Sequence, residues 1–437
     1  MAFVARPINA DLPAAKPSEA PPPKPRRRQR QPVPAALKAI AGLFALAVVF
    51  IVAAILGGSG SDDEPTQGPA PGPVGGVADA PRESDSALTA EELGYPAFAT
   101  SNTTRVGGPD PASNAAGIAL AAYPSTDEAQ QPAAVTLVEA GDWQGAIAAA
   151  VLMAEPVRAP LLITETDGIP EPTSQALDAL DPQGSPDSKG AEAFAIGAAS
   201  VPGDLQATRV SAAGDAAMAA AIAKLRDRLV GGPPRHIVVA PIARPDFAMP
   251  AAAWAARSGD PVLFTATGKL PRKTAVILRE HRDTPVYVLG PSSAISSKVV
   301  RGIGAIADRV RRVSGEDPVA NAIALARYAD GDFGWNVNDP GHGFVVARSG
   351  SPLDAAAAAP LSASGTWGPL LLTDRADTLP AALRGYLLDV KPGYTTDPTR
   401  AFYNHVWVIG DEDAIDVSQQ AEIDELAELA KIGGGEP

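Results

Sequence analysis

The chain contains no cysteine. That excludes disulfide staples, thiolate nucleophiles and zinc–sulfur sites, and it leaves the redox compartment open. Histidine is scarce too. His236, His281, His342 and His405 are the only four, and no two stand at the i, i+4 spacing of a helical metal pair. Gly-x-Ser-x-Gly is absent, so no serine sits in a nucleophile elbow. Aromatic residues make up only 5% of the 437 positions. Basic residues are outnumbered, 36 Lys and Arg against 50 Asp and Glu, for a net charge of −14. Eight of the basic and two of the acidic residues fall within positions 1–60, so the acidic excess is concentrated beyond them. Such a surface repels polyanions on average, and no nucleic-acid partner is expected.

What is abundant is alanine, together with 44 prolines and 41 glycines. Their distribution divides the chain. Residues 1–35 are rich in Pro, Ala and positive charge around Pro25-Arg26-Arg27-Arg28-Gln29-Arg30, and they read as a disordered cytoplasmic tail. Residues 36–56 are apolar except for Lys38, and 39–56 approach the length that spans a bilayer. A cleaved signal peptide is the rival reading, but its apolar region is shorter and its charged start is brief. Arg26, Arg27, Arg28, Arg30 and Lys38 precede this run, and Asp62, Asp63 and Glu64 follow it. That asymmetry places the N-terminus in the cytoplasm and the bulk of the chain outside, with the lipid bilayer as one partner. Residues 57–93 form a Gly/Pro-rich linker.

Beyond residue 94 one pattern occurs three times, at a period of about 100 residues. The first copy reads Arg105-Val106-Gly107-Gly108, then Ala159-Pro160-Leu161-Leu162-Ile163-Thr164, then Phe194-Ala195-Ile196-Gly197. The second has Arg209-Val210-Ser211, Asp260-Pro261-Val262-Leu263-Phe264-Thr265 and Val286-Tyr287-Val288-Leu289-Gly290. The third has Arg312-Val313-Ser314-Gly315, Gly368-Pro369-Leu370-Leu371-Leu372-Thr373 and Val406-Trp407-Val408-Ile409-Gly410. The strand-like runs are continuously apolar instead of alternating, as a parallel sheet covered on both faces requires. Alanine-rich helical stretches at 146–154, 216–229, 319–328 and 354–359 lie between them. The expected fold is α/β, with three open parallel sheets of about four strands in repeats 94–200, 201–302 and 303–437. The segment 421–432 should be a helix closed by Gly433-Gly434-Gly435.

The Pro-Leu-Leu-Thr elements at Pro160, Pro261 and Pro369, together with the Arg-Val-Ser-Gly-like starts, resemble the cell wall-binding repeat 2 family over about residues 95–425. Leu353-Asp354-Ala355-Ala356-Ala357 resembles its helix start, with weaker versions at Asp246 and Asp142. The resemblance implies three Rossmann-like units in a pseudo-threefold cluster that holds a protein on anionic envelope polymers. No catalytic residue and no cofactor are expected.

Open α/β sheets place ligands where strands end and helices begin. The corresponding loops contain Asp142-Trp143, Arg244-Pro245-Asp246-Phe247 and Arg348-Ser349-Gly350-Ser351-Pro352-Leu353-Asp354. Each Asp suits a helix cap. In a polymer-binding cleft, Trp143, Phe247 and Trp367 would stack on sugar faces while Arg244 and Arg348 paired with acidic groups. Arg309, Arg311 and Arg312 form a basic cluster that reads either as a polymer contact or as a solvated edge strand. Asp330-Gly331-Asp332 through Asp339 alternates oxygen ligands as a calcium loop does, but position 12 is Gly341 instead of Glu, and an Asx-rich connection is expected. Gly302-Ile303-Gly304 follows a helical stretch instead of a strand, so it is no dinucleotide fingerprint. The function these features support is non-enzymatic binding of an anionic or carbohydrate cell-wall polymer. The alternative is a scaffold that binds another envelope protein, which the acidic surface favours.

Overall fold

The structure is a computed structural model that describes residues 99–363 and 368–432. The tail, apolar run and linker expected over 1–93 lie outside the described residues. Among those that are described, no helix is long and apolar enough to cross a membrane.

The chain forms strands β1 (Thr103–Val106), β2 (Val135–Glu139), β3 (Leu161–Thr164), β4 (Ala193–Ile196), β5 (Ala207–Val210), β6 (Ile237–Pro241), β7 (Val262–Thr265), β8 (Val286–Leu289), β9 (Val310–Val313), β10 (Gly343–Arg348), β11 (Leu370–Thr373) and β13 (His405–Ile409). A two-residue pair, β12 (Gly393–Tyr394) and β14 (Ala430–Lys431), completes the set. The long strands make three four-stranded sheets in the orders β3-β2-β4-β5, β7-β6-β8-β9 and β11-β10-β13-β1. All their pairings are parallel. The apolar runs are buried as their composition requires: β3, β7 and β11 are buried throughout.

The third sheet draws on both ends of the described chain. Its edge strand β1 comes from the start of the first sequence copy, and Arg105 lies beside Val408. The other Arg-Val strands follow the same rule. β5 opens the second copy but completes the first sheet, and β9 opens the third but completes the second. The helix after each such strand crosses to the next sheet. Pro111–Ala122 packs on β3, Asp215–Val230 on β7 and Pro318–Arg327 on β11. Every repeat therefore lends a strand to one neighbour and a helix to its own sheet, and the exchange closes on itself after three.

The alanine-rich segments after the central strands meet in the middle. Trp143–Ala149, continued by the 3-10 turn Ala150–Met153, touches both Pro250–Ser258 and Pro352–Ala357, and these two touch each other. Ala148, Ala149, Ala252, Ala253, Ala256, Ala355 and Ala356 are fully buried there. Small side chains let the three backbones approach closely, which explains part of the alanine content. The last helix spans Val417–Ala427, capped by Asp416, whose carboxylate accepts the amide of Gln419. It starts earlier than its composition suggested. It stops before the triple glycine because the chain turns at Glu428 to pair Ala430 with Gly393.

Candidate functional site

At the carboxyl end of each sheet an arginine closes a glycine turn. Gly197, Gly290 and Gly410 have φ of 61°, 117° and 101°, a region that disfavours side chains. Each turn presents carbonyls to the arginine of the neighbouring edge strand. Arg209 Nη1 donates to Gly197 O at 2.9 Å. Arg312 donates to Gly290 O and, at 2.6 Å, to Ile295 O. Arg105 Nη1 donates to Gly410 O and Asp411 O at 2.8 and 2.7 Å, Nη2 to Ile415 O at 2.6 Å, and Nε to Gln420 Oε1 at 3.0 Å. Burial lowers the pKa of Arg105, against the opposing pull of Glu412, Asp411 and Asp416. It also lowers that of Arg312. The triplicated Arg-Val and terminal Gly are thus two halves of one lock.

Helix starts occupy the same ends. Asp142 caps its helix by accepting Gly145 N at 2.7 Å, and burial raises its pKa despite that bond. Asp354 is buried and its pKa is raised for the same reason, although Asn114 and Ser351 hydrogen-bond it. Asn114 also accepts Gly108 N at 2.6 Å, and Asn321 accepts Gly315 N at 3.3 Å. Much of the polar chemistry at the strand ends therefore serves the backbone.

The candidate residues do not converge on one cleft. Trp143 meets Phe264 of the second sheet edge-on, with centroids 5.8 Å apart, and so packs between repeats. Arg244 and Phe247 do come together, the guanidinium 4.5 Å above the ring, but Arg244 is paired with Asp246 at 2.7 Å and Phe247 is buried. Arg348 is half-buried, and its Nη1 is buried without a hydrogen-bond partner. Arg309, Arg311 and Arg312 line one edge of the second sheet. Arg309 pairs with Asp330, Arg311 is exposed, and Arg312 turns into the Gly290 lock. Trp367 lies outside the described residues.

Sequence reasoning missed the opposite face. Where helices end and strands begin, a cavity of about 640 Å³ opens between the three repeats. Tyr123 and Arg158 of the first repeat, Arg226, Arg235 and Arg257 of the second, and Trp335 of the third are among its walls. Beside it, His236 is clamped between two carboxylates, Nδ1 3.0 Å from Asp260 Oδ2 and Nε2 3.1 Å from Asp332 Oδ1. Burial disfavours its charged form, but the hydrogen bonds and charges of Asp260 and Asp332 outweigh this and raise its pKa. Asp260 also accepts Trp254 Nε1 at 3.0 Å. The calcium-like loop supplies part of the third repeat's share of this wall, through Asp332, Gly334 and Trp335. Asp330 accepts Tyr287 Oη at 2.9 Å, and Phe333 stacks on Tyr287 at 3.5 Å and 3°. Its carboxylates meet His236 of the second repeat and Arg309 at the edge of the second sheet, and among the described residues no cluster of three metal-ligating side chains exists. No local signal marked the cavity, because its arginines are spread over about a hundred residues of sequence.

Residues 209–300 and 312–420 match the family model for cell wall binding domain 2. The second and third repeats belong to the cell wall binding domain 2 family. Both matched stretches begin at the arginine of an Arg-Val strand, Arg209 and Arg312. The unmatched first repeat has the same sheet order as the two matched ones. Among solved structures, Cwp6 from Clostridium difficile is similar with a TM-score of 0.59 at 20% identity, over 74% of this chain and 48% of that one. Cwp8 from Clostridium difficile is similar with a TM-score of 0.57 at 20% identity, over 75% and 52%. The chain thus spans about half the length of these two proteins, and at that identity the likeness concerns the fold. No curated protein sequence matches the chain. The cell wall binding repeats are the domains identified on it, and they associate it with the cell envelope.

Proposed function

We propose that this is a membrane-anchored protein that faces outward and binds an anionic polymer of the cell wall through three repeats set about a pseudo-threefold axis. The observation that carries the reading is the family match of the second and third repeats, joined to a first repeat of the same sheet order. Three weak contacts on one rigid body give avidity for a repeating polymer without any tight single site. Residues 39–56 supply the anchor in this reading, and the flanking charges set its orientation. No step needs a cofactor.

The test is sedimentation of the full chain, in mild detergent, with purified cell wall before and after its secondary polymers are stripped. The protein should pellet with intact wall and stay in solution with stripped wall. Equal pelleting with both would move recognition to peptidoglycan or to a protein partner. Protease added to wall-permeable cells should digest 94–437 and leave a short protected fragment. A protected C-terminal region would overturn the orientation.

A further inference from the structure

We infer that the cavity between the three repeats is a binding site for an anionic saccharide segment, whose phosphate or carboxylate is held by Arg158, Arg235 and Arg257 beside Tyr123. This rests on the wall-binding reading and adds, to contacts spread over the three repeats, one site that all three share.

The cavity's volume of about 640 Å³ lies in the range of ligand sites. Its walls come from all three repeats, so it exists only when the ring of sheets is closed. Two helices end beside it, at Gly231 and Gly259, and their C-terminal carbonyls would repel an anion. Arg226 offsets this in part by placing its charge at both ends, donating to Gly259 O at 2.9 Å and to Gly232 O at 2.7 Å. The acids of the wall are engaged as well. Asp260 is buried and accepts His236 N, His236 Nδ1 and Trp254 Nε1. Glu155 pairs with Arg158, and Asp332 with His236 and Arg235. The Arg235–Asp332 pair is loose at 3.6 Å, and the Arg235 side chain is 79% exposed. It can turn to a ligand at little expense, because exposed ion pairs are weak. Guanidinium groups recognise phosphate and carboxylate by paired hydrogen bonds, and a tyrosine ring offers a face to a sugar. A protein this acidic can hold a polyanion only where its cations are gathered in this way.

The experiment uses the full chain and two readouts. One is sedimentation with purified wall. The other is tryptophan fluorescence, since Trp254 and Trp335 line the cavity, titrated with a glycerol-phosphate oligomer, a glucuronate oligomer and neutral dextran. One or both anionic probes should give saturable change, dextran none, and the responding probe tells phosphate from carboxylate. The pair Arg235→Gln and Arg257→Gln should weaken soluble binding by about tenfold or more. The charge-matched pair Arg272→Gln and Lys273→Gln, on an exposed helix start away from the cavity, should leave it unchanged. Equal affinity of the cavity variant and wild type, or no response to either anion, overturns the inference while wild-type sedimentation upholds the wall-binding reading. If the wild type fails to sediment, that reading falls, and the soluble titration still decides whether the cavity takes anions.

Discussion

Arg105 and Arg209 occupy the same place in the repeated pattern, yet they carry different weight. Arg209 is exposed and makes one bond to its glycine turn. Arg105 is buried and bonds three carbonyls and Gln420. Around it, Gln420 also donates to Thr103 at 2.9 Å, and Asp424 accepts Asn102 N at 2.8 Å. Connectivity explains the difference. Gly197 and Arg209 are twelve residues apart, so a short loop keeps their strands together. Gly410 and Arg105 are 305 residues apart, and no nearby covalent link holds that junction. Side chains must do there what the chain does elsewhere. Arg312 is intermediate, half-buried with two carbonyls and a connection of 22 residues.

That ordering can be broken by single substitutions. Arg105→Ala should have the largest effect, about 3–5 kcal/mol, because it strands several buried acceptors of a charged donor. Urea unfolding of the purified protein measures it, and a loss below about 1 kcal/mol would mean the junction is held by apolar packing. Arg312→Ala should lower stability by about 1–3 kcal/mol on the same measurement. If it equals Arg105→Ala, connectivity is not what sets the weights.

The His236 clamp compares a second kind of junction, between the second repeat and the loop of the third. His236→Gln should destabilise by about 1 kcal/mol through its hydrogen bonds, with a dependence on pH. The folded pKa of His236 is raised, so its charged-state contribution is fully present below the ordinary value of about 6.5. It fades as pH rises through the elevated folded value. The gap in melting temperature between wild type and variant should therefore be wider at about pH 5.5 than at about pH 9. A gap that widens with pH would reverse the assignment. Arg209→Ala should have the smallest effect, no more than about 0.5 kcal/mol, as befits an exposed side chain. A larger loss would show that the first junction depends on its arginine as the last one does.

The two ends of the sheets also differ in how far the sequence revealed them. The strand ends carry motifs, and motifs are local. Continuous apolar runs such as Leu370-Leu371-Leu372 dictated parallel sheets, and the terminal glycines marked turns that need positive φ. The same motifs suggested a ligand site at Trp143, Arg244 and Arg348, since an arginine beside an aromatic reads alike whether it faces a polymer or its own Asp246. The cavity on the other face has no motif. Tyr123 and Arg257 sit at helix ends, Arg226 lies within the helix Asp215–Val230 and Arg158 in the connection before β3, all unremarkable in sequence, and only packing brings them together.

By itself the sequence determined the class of fold, the number of repeats and the strands that would be buried. Those depend on hydrophobic period and turn chemistry, which act over a few residues. Which sheet each strand joins was decided by tertiary structure alone. The Arg105 strand reads as the opening of the first repeat, but its hydrogen bonds are completed by β13 and the final turn, about three hundred residues away. A strand's edge is satisfied by whichever partner packing brings beside it, and no residue of the strand itself records that choice.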